Sequence, residues 1–192
     1  MSLSEAAIQF LATLERLPHV PTRQVESILL AAGQPCFEPW LAFHDQFAGY
    51  VERMGRDVAV WGLMHERPQW LSPLEADIEP EKDGVTLYIT CADVHPSYSY
   101  QLDNKGEFLG FPAECFATHV ERAGAGSAFK GSSETEAITQ AELRDPAFMA
   151  RLGPENVLAP ASDSFFNYHE DGDILVVWRH GAPTPQRGWR RL

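Results

Sequence analysis

The chain has 192 residues, 44% hydrophobic and 22% charged, with 27 acidic against 15 basic side chains and a formal net charge of −12. A chain of this length buries roughly 70% of its unfolded surface, enough for a core without metal or disulfide staples. The acidic balance argues against direct binding to nucleic acid or to an anionic membrane, both of which call for a basic surface.

Three cysteines, Cys36, Cys91 and Cys115, are too sparse and odd in number for a secreted disulfide scaffold. The first residues lack the basic and apolar regions of a signal peptide, and no stretch reaches the ~18 apolar residues of a membrane span. A cytoplasmic setting is expected. Apolar residues are spread along the length with no low-complexity linker, which predicts a single domain over residues 1–192.

Ser2 and Glu5 have the spacing of a capping box, and Ala7, Ile8, Leu11 and Leu14 recur on one helical face. A first helix over residues 3–16 follows, ended by Pro18 and Pro21. Thr22 is placed to cap a second helix with the stripe Val25, Ile28, Leu29 and Ala32, closed by Gly33 and Pro35. Pro39 suits the first turn of a third, which carries Trp40, Leu41, Phe43, His44 and Phe47 and stops at Gly49. The aromatic spacing there is that of a helix's core face.

The pattern then turns to strands. Residues 58–64 and 85–91 are apolar and β-branched runs, the second following the turn Asp83-Gly84. Residues 98–102 and 107–111 flank Asp103-Asn104-Lys105-Gly106, a hairpin signal. Residues 112–122 return to helix. The glycine- and serine-rich stretch 124–133 reads as a mobile loop, and 138–152 as partly helical with Pro146 interrupting. Residues 165–168 and 174–178 flank a second hairpin turn. The tail 181–192, with two prolines and Arg187, Arg190 and Arg191, is expected to be flexible. The predicted fold class is α+β, with N-terminal helices packed on a mostly antiparallel sheet.

Signatures of catalysis are absent. No G-x-x-x-x-G-K-[ST], G-x-S-x-G or H-E-x-x-H pattern occurs, so no cofactor, metal or catalytic residue is expected. Cys91-x-x-x-His95 and Cys115-x-x-x-His119 have a spacing that would serve zinc only if both pairs turned toward one ion. On a strand end, four residues spread ligands by roughly 13 Å, so core packing of the cysteines is the preferred reading. A cysteine nucleophile with His95 or His119 as base lacks an orienting carboxylate. Asp93, His95 and Tyr98 either line a cleft or belong to a self-satisfied loop.

Charge is the stronger clue. Residues 75–145 hold 14 acidic and 5 basic side chains, a net of −9. Within them Glu75, Asp77, Glu79, Glu81 and Asp83 alternate with only Lys82 opposing. The segment is either a solvated loop or a docking strip for a cationic partner. The partner-binding candidates are therefore Asp77, Glu79, Glu81 and Asp83, together with Asp93, His95 and Tyr98.

Residues 25–50, VESILLAAGQPCFEPWLAFHDQFAGY, resemble the start of the SUKH superfamily. Its members open with a helix, a loop carrying proline, and a helix ending in an aromatic, a small residue and glycine, as Phe47-Ala48-Gly49-Tyr50 does here. The hairpin around Asp103-Asn104-Lys105-Gly106 and the helix after Phe111 are similar to that family's sheet and following helix, so the resemblance covers roughly residues 22–123. It implies a non-enzymatic α+β protein and, for bacterial members, an immunity protein that neutralises a cognate toxin by protein–protein contact. A toxin with a basic face would complement the acidic charge. The alternatives are a small hydrolase-like enzyme using His95 or His119 and a regulatory scaffold module without a toxin.

Overall fold

The computed structural model describes residues 2–54, 57–65, 78–80, 84–95, 98–109, 113, 115–131 and 133–192. The first elements are α1 (Glu5–Thr13), β1 (Glu15–Arg16), α2 (Thr22–Ala31), α3 (Glu38–Phe47), β2 (Tyr50–Met54), β3 (Asp57–Trp61), β4 (Ile78–Pro80), β5 (Leu87–His95) and β6 (Tyr98–Asp103). Then come α4 (Phe116–Gly131), β7 (Thr135–Ala137), α5 (Pro146–Met149), β8 (Phe166–Asp171), β9 (Ile174–Arg179) and β10 (Arg187–Arg191). Both sheets are antiparallel, so the class is α+β as predicted. The chain divides into two units, Thr13–Phe116 and Met1–Ala12 with Ala117–Leu192.

In the unit Thr13–Phe116 the helical stripes do what their spacing predicts. α2 buries Val25 and Leu29, and α3 buries Trp40, Phe43, His44 and Phe47. α3 lies on the sheet through Phe47, whose ring meets that of Trp61 on β3 edge-on. Phe116 closes the cluster, with ring centres 4.7 Å from Phe43 and 4.8 Å from Trp61. Burying each such ring contributes about 1.5–3 kcal/mol. Thr22 does not cap α2; its hydroxyl donates instead to Asp45 at 3.0 Å, and Pro21 occupies the cap position.

The sheet runs β1-β2-β3-β5-β4, with β6 on the other edge of β5. Ile89 of β5 is opposed by Ile78 and Leu102, and Ala92 by Trp61 and Tyr100. β3 and β4 therefore share one edge of β5, end to end. Gly49, at φ 87°, donates its N–H to the Trp61 carbonyl and accepts that of Leu17, and any Cβ there would run into the Leu17 carbonyl. Pairing of β1 with β2 ends α1 at Thr13, short of the predicted Arg16. At the far end of β6, Asp103 accepts the N–H groups of Lys105 and Glu107 at 2.8 and 2.7 Å, and its carbonyl accepts Trp40 Nε1–H at 2.7 Å. The predicted turn exists; of the strand expected over 107–111, residues 107–109 are described, and among them Phe108 makes isolated bridges to Leu102 and Ala113.

The other unit overturns several expectations. The stretch beginning at Gly124 is not a loop: α4 continues through it to Gly131. Gly124 sits where α1 crosses α4, against the Ala7 backbone, and any side chain would fill the space the crossing needs. Ser4, rather than Ser2, caps α1 by accepting the Ala7 N–H at 3.2 Å. Both its N–H and its hydroxyl bond the Glu121 carboxylate of α4. Pro146 does not interrupt a helix but begins α5, with Asp145 accepting the Ala147 N–H at its cap.

Nor is residues 181–192 simply a loose tail, since Arg187–Arg191 forms β10 in the interior of the sheet β7-β10-β9-β8. Two of its three arginines are matched by acids of the same unit, Arg190 with Glu142 at 3.3 Å and Arg191 with Glu170 at 3.2 Å. Ile138, Leu143, Phe148, Leu152, Ile174 and Val176 form the core beneath. Arg122 is buried with Asp163, 8% and 1% exposed, beneath the rings of Phe166 and Tyr168.

Candidate partner-binding face

Asp77, Glu81 and Asp83 lie outside the described residues, as does Glu75. Glu79 is the middle residue of β4, opposite Tyr88 at the start of β5. Asp93 and His95 fall at the end of β5 and Tyr98 at the start of β6, with Asp93 opposite Ser99 and His95 opposite Tyr98. For Glu79, Asp93, His95 and Tyr98 the described structure is the strand backbone.

These positions are two groups, not one. From Tyr88, the partner of Glu79, to Asp93 and His95 is five to seven residues of β5, or about 17–23 Å at the strand rise. The hairpin draws Asp93, His95 and Tyr98 together at one end of β5. The acidic residue of β4 stands at the other.

β4 has the character of a protected edge. It is three residues long, contains Pro80, which has no N–H to offer, and carries Glu79 at its centre. Among the described residues its only strand partner is β5. Such an edge resists pairing with another chain's strand through its backbone.

The cysteine–histidine pairs are dispersed. Cys91 is fully buried in β5, and burial pushes its thiol well above the ordinary value, which removes it as a nucleophile at neutral pH. Cys115 precedes α4 instead of standing on it, and His119 is buried on that helix. Among the described residues no group of three or more His, Cys, Asp or Glu is placed to hold a metal ion.

The sequence reading missed a histidine cluster. His44, counted only as part of the α3 stripe, is fully buried and uses both ring nitrogens: Nε2–H donates to the Val20 carbonyl at 2.7 Å and Nδ1 accepts the Leu63 N–H at 3.0 Å. The His19 ring stands edge-on to it, 5.9 Å between centres. His65 is opposed to His19 across an isolated antiparallel bridge. No local motif announces this grouping; only the apolar position of His44 hinted at it.

No protein-family model, curated protein or solved structure matches the chain. The described helices include none long and apolar enough to cross a membrane.

Proposed function

We propose that this chain is an immunity-type inhibitor of the SUKH kind, which neutralises a cognate toxin by covering it with an acidic face. The observation that carries this reading is the run of acids Glu75, Asp77, Glu79, Glu81 and Asp83, with only Lys82 opposing, in a chain of net charge −12. The placement of Glu79 on a short, proline-bearing edge strand supports it, because such an edge offers side-chain charge rather than backbone pairing. The partner is a protein with a basic face, the surface expected of a toxin that handles nucleic acid. Opposite charge speeds encounter, and buried anchors then set the residence time. In this reading the protein acts by contact, with no catalytic residue and no cofactor.

The test has two arms. Co-expression with a toxin encoded beside it should restore growth to cells the toxin otherwise kills. In surface plasmon resonance against that toxin, the variant Glu79→Lys, Glu81→Lys, Asp83→Lys should associate much more slowly while dissociating at a similar rate. The wild-type on-rate should fall steeply as salt rises to 0.15 M, where screening shortens to about 8 Å. Unprotected growth removes the inhibitor reading, whereas protection with an unchanged on-rate in the triple variant removes the acidic strip as the docking face.

A further inference from the structure

Three imidazoles from three separate segments meet in the unit Thr13–Phe116. His44 of α3 ties together the connection after β1, through Val20, and the connection after β3, through Leu63. One ring nitrogen donates and the other accepts, so the arrangement exists only for the neutral ring. A second proton on Nδ1 would face the Leu63 N–H, donor against donor. His19 and His65, on the two connections that His44 holds, are themselves opposed across a backbone bridge.

Among the described residues, the charged and titratable groups bearing on His44 are His19, His65 and Asp45. Asp45 is exposed and already accepts the Thr22 hydroxyl. Protonation of His44 and His65 would thus place two positive charges close together, with the solvated Asp45 carboxylate nearby. Burial, then the charges of His44 and His19, depress His65 to about 4. Burial is likewise the largest influence on His44 and lowers it.

We propose that His44 and His65, packed with His19, form an acid-opened latch: neutral, it holds the 17–21 and 62–65 connections on α3; protonated, it releases them while α2 and α3 stay folded. This inference stands apart from the toxin-binding reading. The sign follows from the depression. An imidazole whose closed-state value lies below its free value of about 6.5 takes up a proton on opening, so the latch is at full strength above about 6.5 and weakens as pH falls toward about 4. Each ring that gains a proton on opening shifts the open-to-closed ratio by up to about tenfold per pH unit, and two rings by up to about a hundredfold.

Hydrogen exchange on the full chain between pH 7 and 4.5, corrected for intrinsic rates, reads the latch directly at the Leu63 amide. Its protection should fall by up to about a hundredfold per pH unit below 6.5, while the Leu29 amide of α2 keeps its own. His65→Gln should reduce that dependence to about tenfold or less per unit. Parallel loss of protection at Leu63 and Leu29 would overturn the proposal, because the whole unit would then be unfolding. An unaltered slope in H65Q would overturn it too. So would an NMR titration of the wild-type His65 ring with an ordinary midpoint near 6.5, which needs no variant to fold.

Discussion

Gly124 and Gly126 sit two residues apart in α4, and replacing each with alanine is expected to change stability in opposite directions. A Cβ on Gly124 would lie 2.6 Å from Ala7 Cα, 2.7 Å from its nitrogen and 2.8 Å from the Ala6 carbonyl carbon. The optimum separation of carbon atoms is about 3.5–4.0 Å, so α1 must retreat by about 1 Å. All three atoms belong to backbone, which has no rotamer to turn aside. Overpacking of this kind costs about 1–3 kcal/mol, offset by about 0.5–1 kcal/mol from alanine's better helix propensity. The retreat also stretches the Ser4–Glu121 bonds and uncovers Ala7 and Leu11. G124A should therefore lose about 1–2 kcal/mol net. At Gly126 an added Cβ meets nothing within 4 Å, so G126A should keep the propensity gain and be more stable by about 0.5–1 kcal/mol. Urea denaturation followed by circular dichroism measures both, with unchanged m-values showing that the same surface is exposed. A G124A protein as stable as wild type would refute the close crossing of α1 on α4.

Trp40→Ala removes a fully buried ring and one of the two hydrogen bonds that the Asp103 carbonyl accepts, so calorimetry or urea melts should register a loss of about 3–5 kcal/mol. Arg122→Ala leaves Asp163, 1% exposed, without its buried cation and should cost about 3–5 kcal/mol, read as a lower urea midpoint. His169, 4% exposed and 6.1 Å from the Trp178 ring, is lowered by burial. Its unfolded form binds the extra proton, so stability should fall as pH drops below about 6.5, with a slope of at most about 1.4 kcal/mol per pH unit for this one group. In His169→Leu the urea midpoints between pH 6.5 and 5 should follow a correspondingly flatter profile.

What was legible in the sequence was whatever a local window contains. The stripes of α2 and α3 announce themselves because every third or fourth residue faces the same core. β5 and β9 show through their β-branched runs, β6 through the Asp-Asn-Lys-Gly turn that follows it, and β8 through the Glu-Asp-Gly-Asp turn that joins it to β9. The second half of α4 was misread because glycine and serine weigh against a helix, whereas Gly124 is required by a helix far away in sequence. β10 was misread because a proline-flanked arginine run resembles a disordered end. The acids that neutralise it, Glu142 and Glu170, come from other elements. For the candidate face, the nearness of His95 and Tyr98 follows from a short hairpin. The separation of Glu79 from Asp93 along β5 depends on strand register, which composition does not encode.

The division of the chain has a consequence for its synthesis. One unit is continuous, Thr13–Phe116, but the other is assembled from Met1–Ala12 and Ala117–Leu192. As the chain leaves the ribosome, the continuous unit emerges whole and is free to fold. α1 has by then been exposed for the entire time without the helix it packs on, since the bond between Ser4 and Glu121 spans 117 residues. Its sheet waits longer still, because β10 must insert between β7 and β9. The second unit therefore closes late, across the long stretch of chain between its two segments, and α1 stays uncovered until then, a surface open to a chaperone.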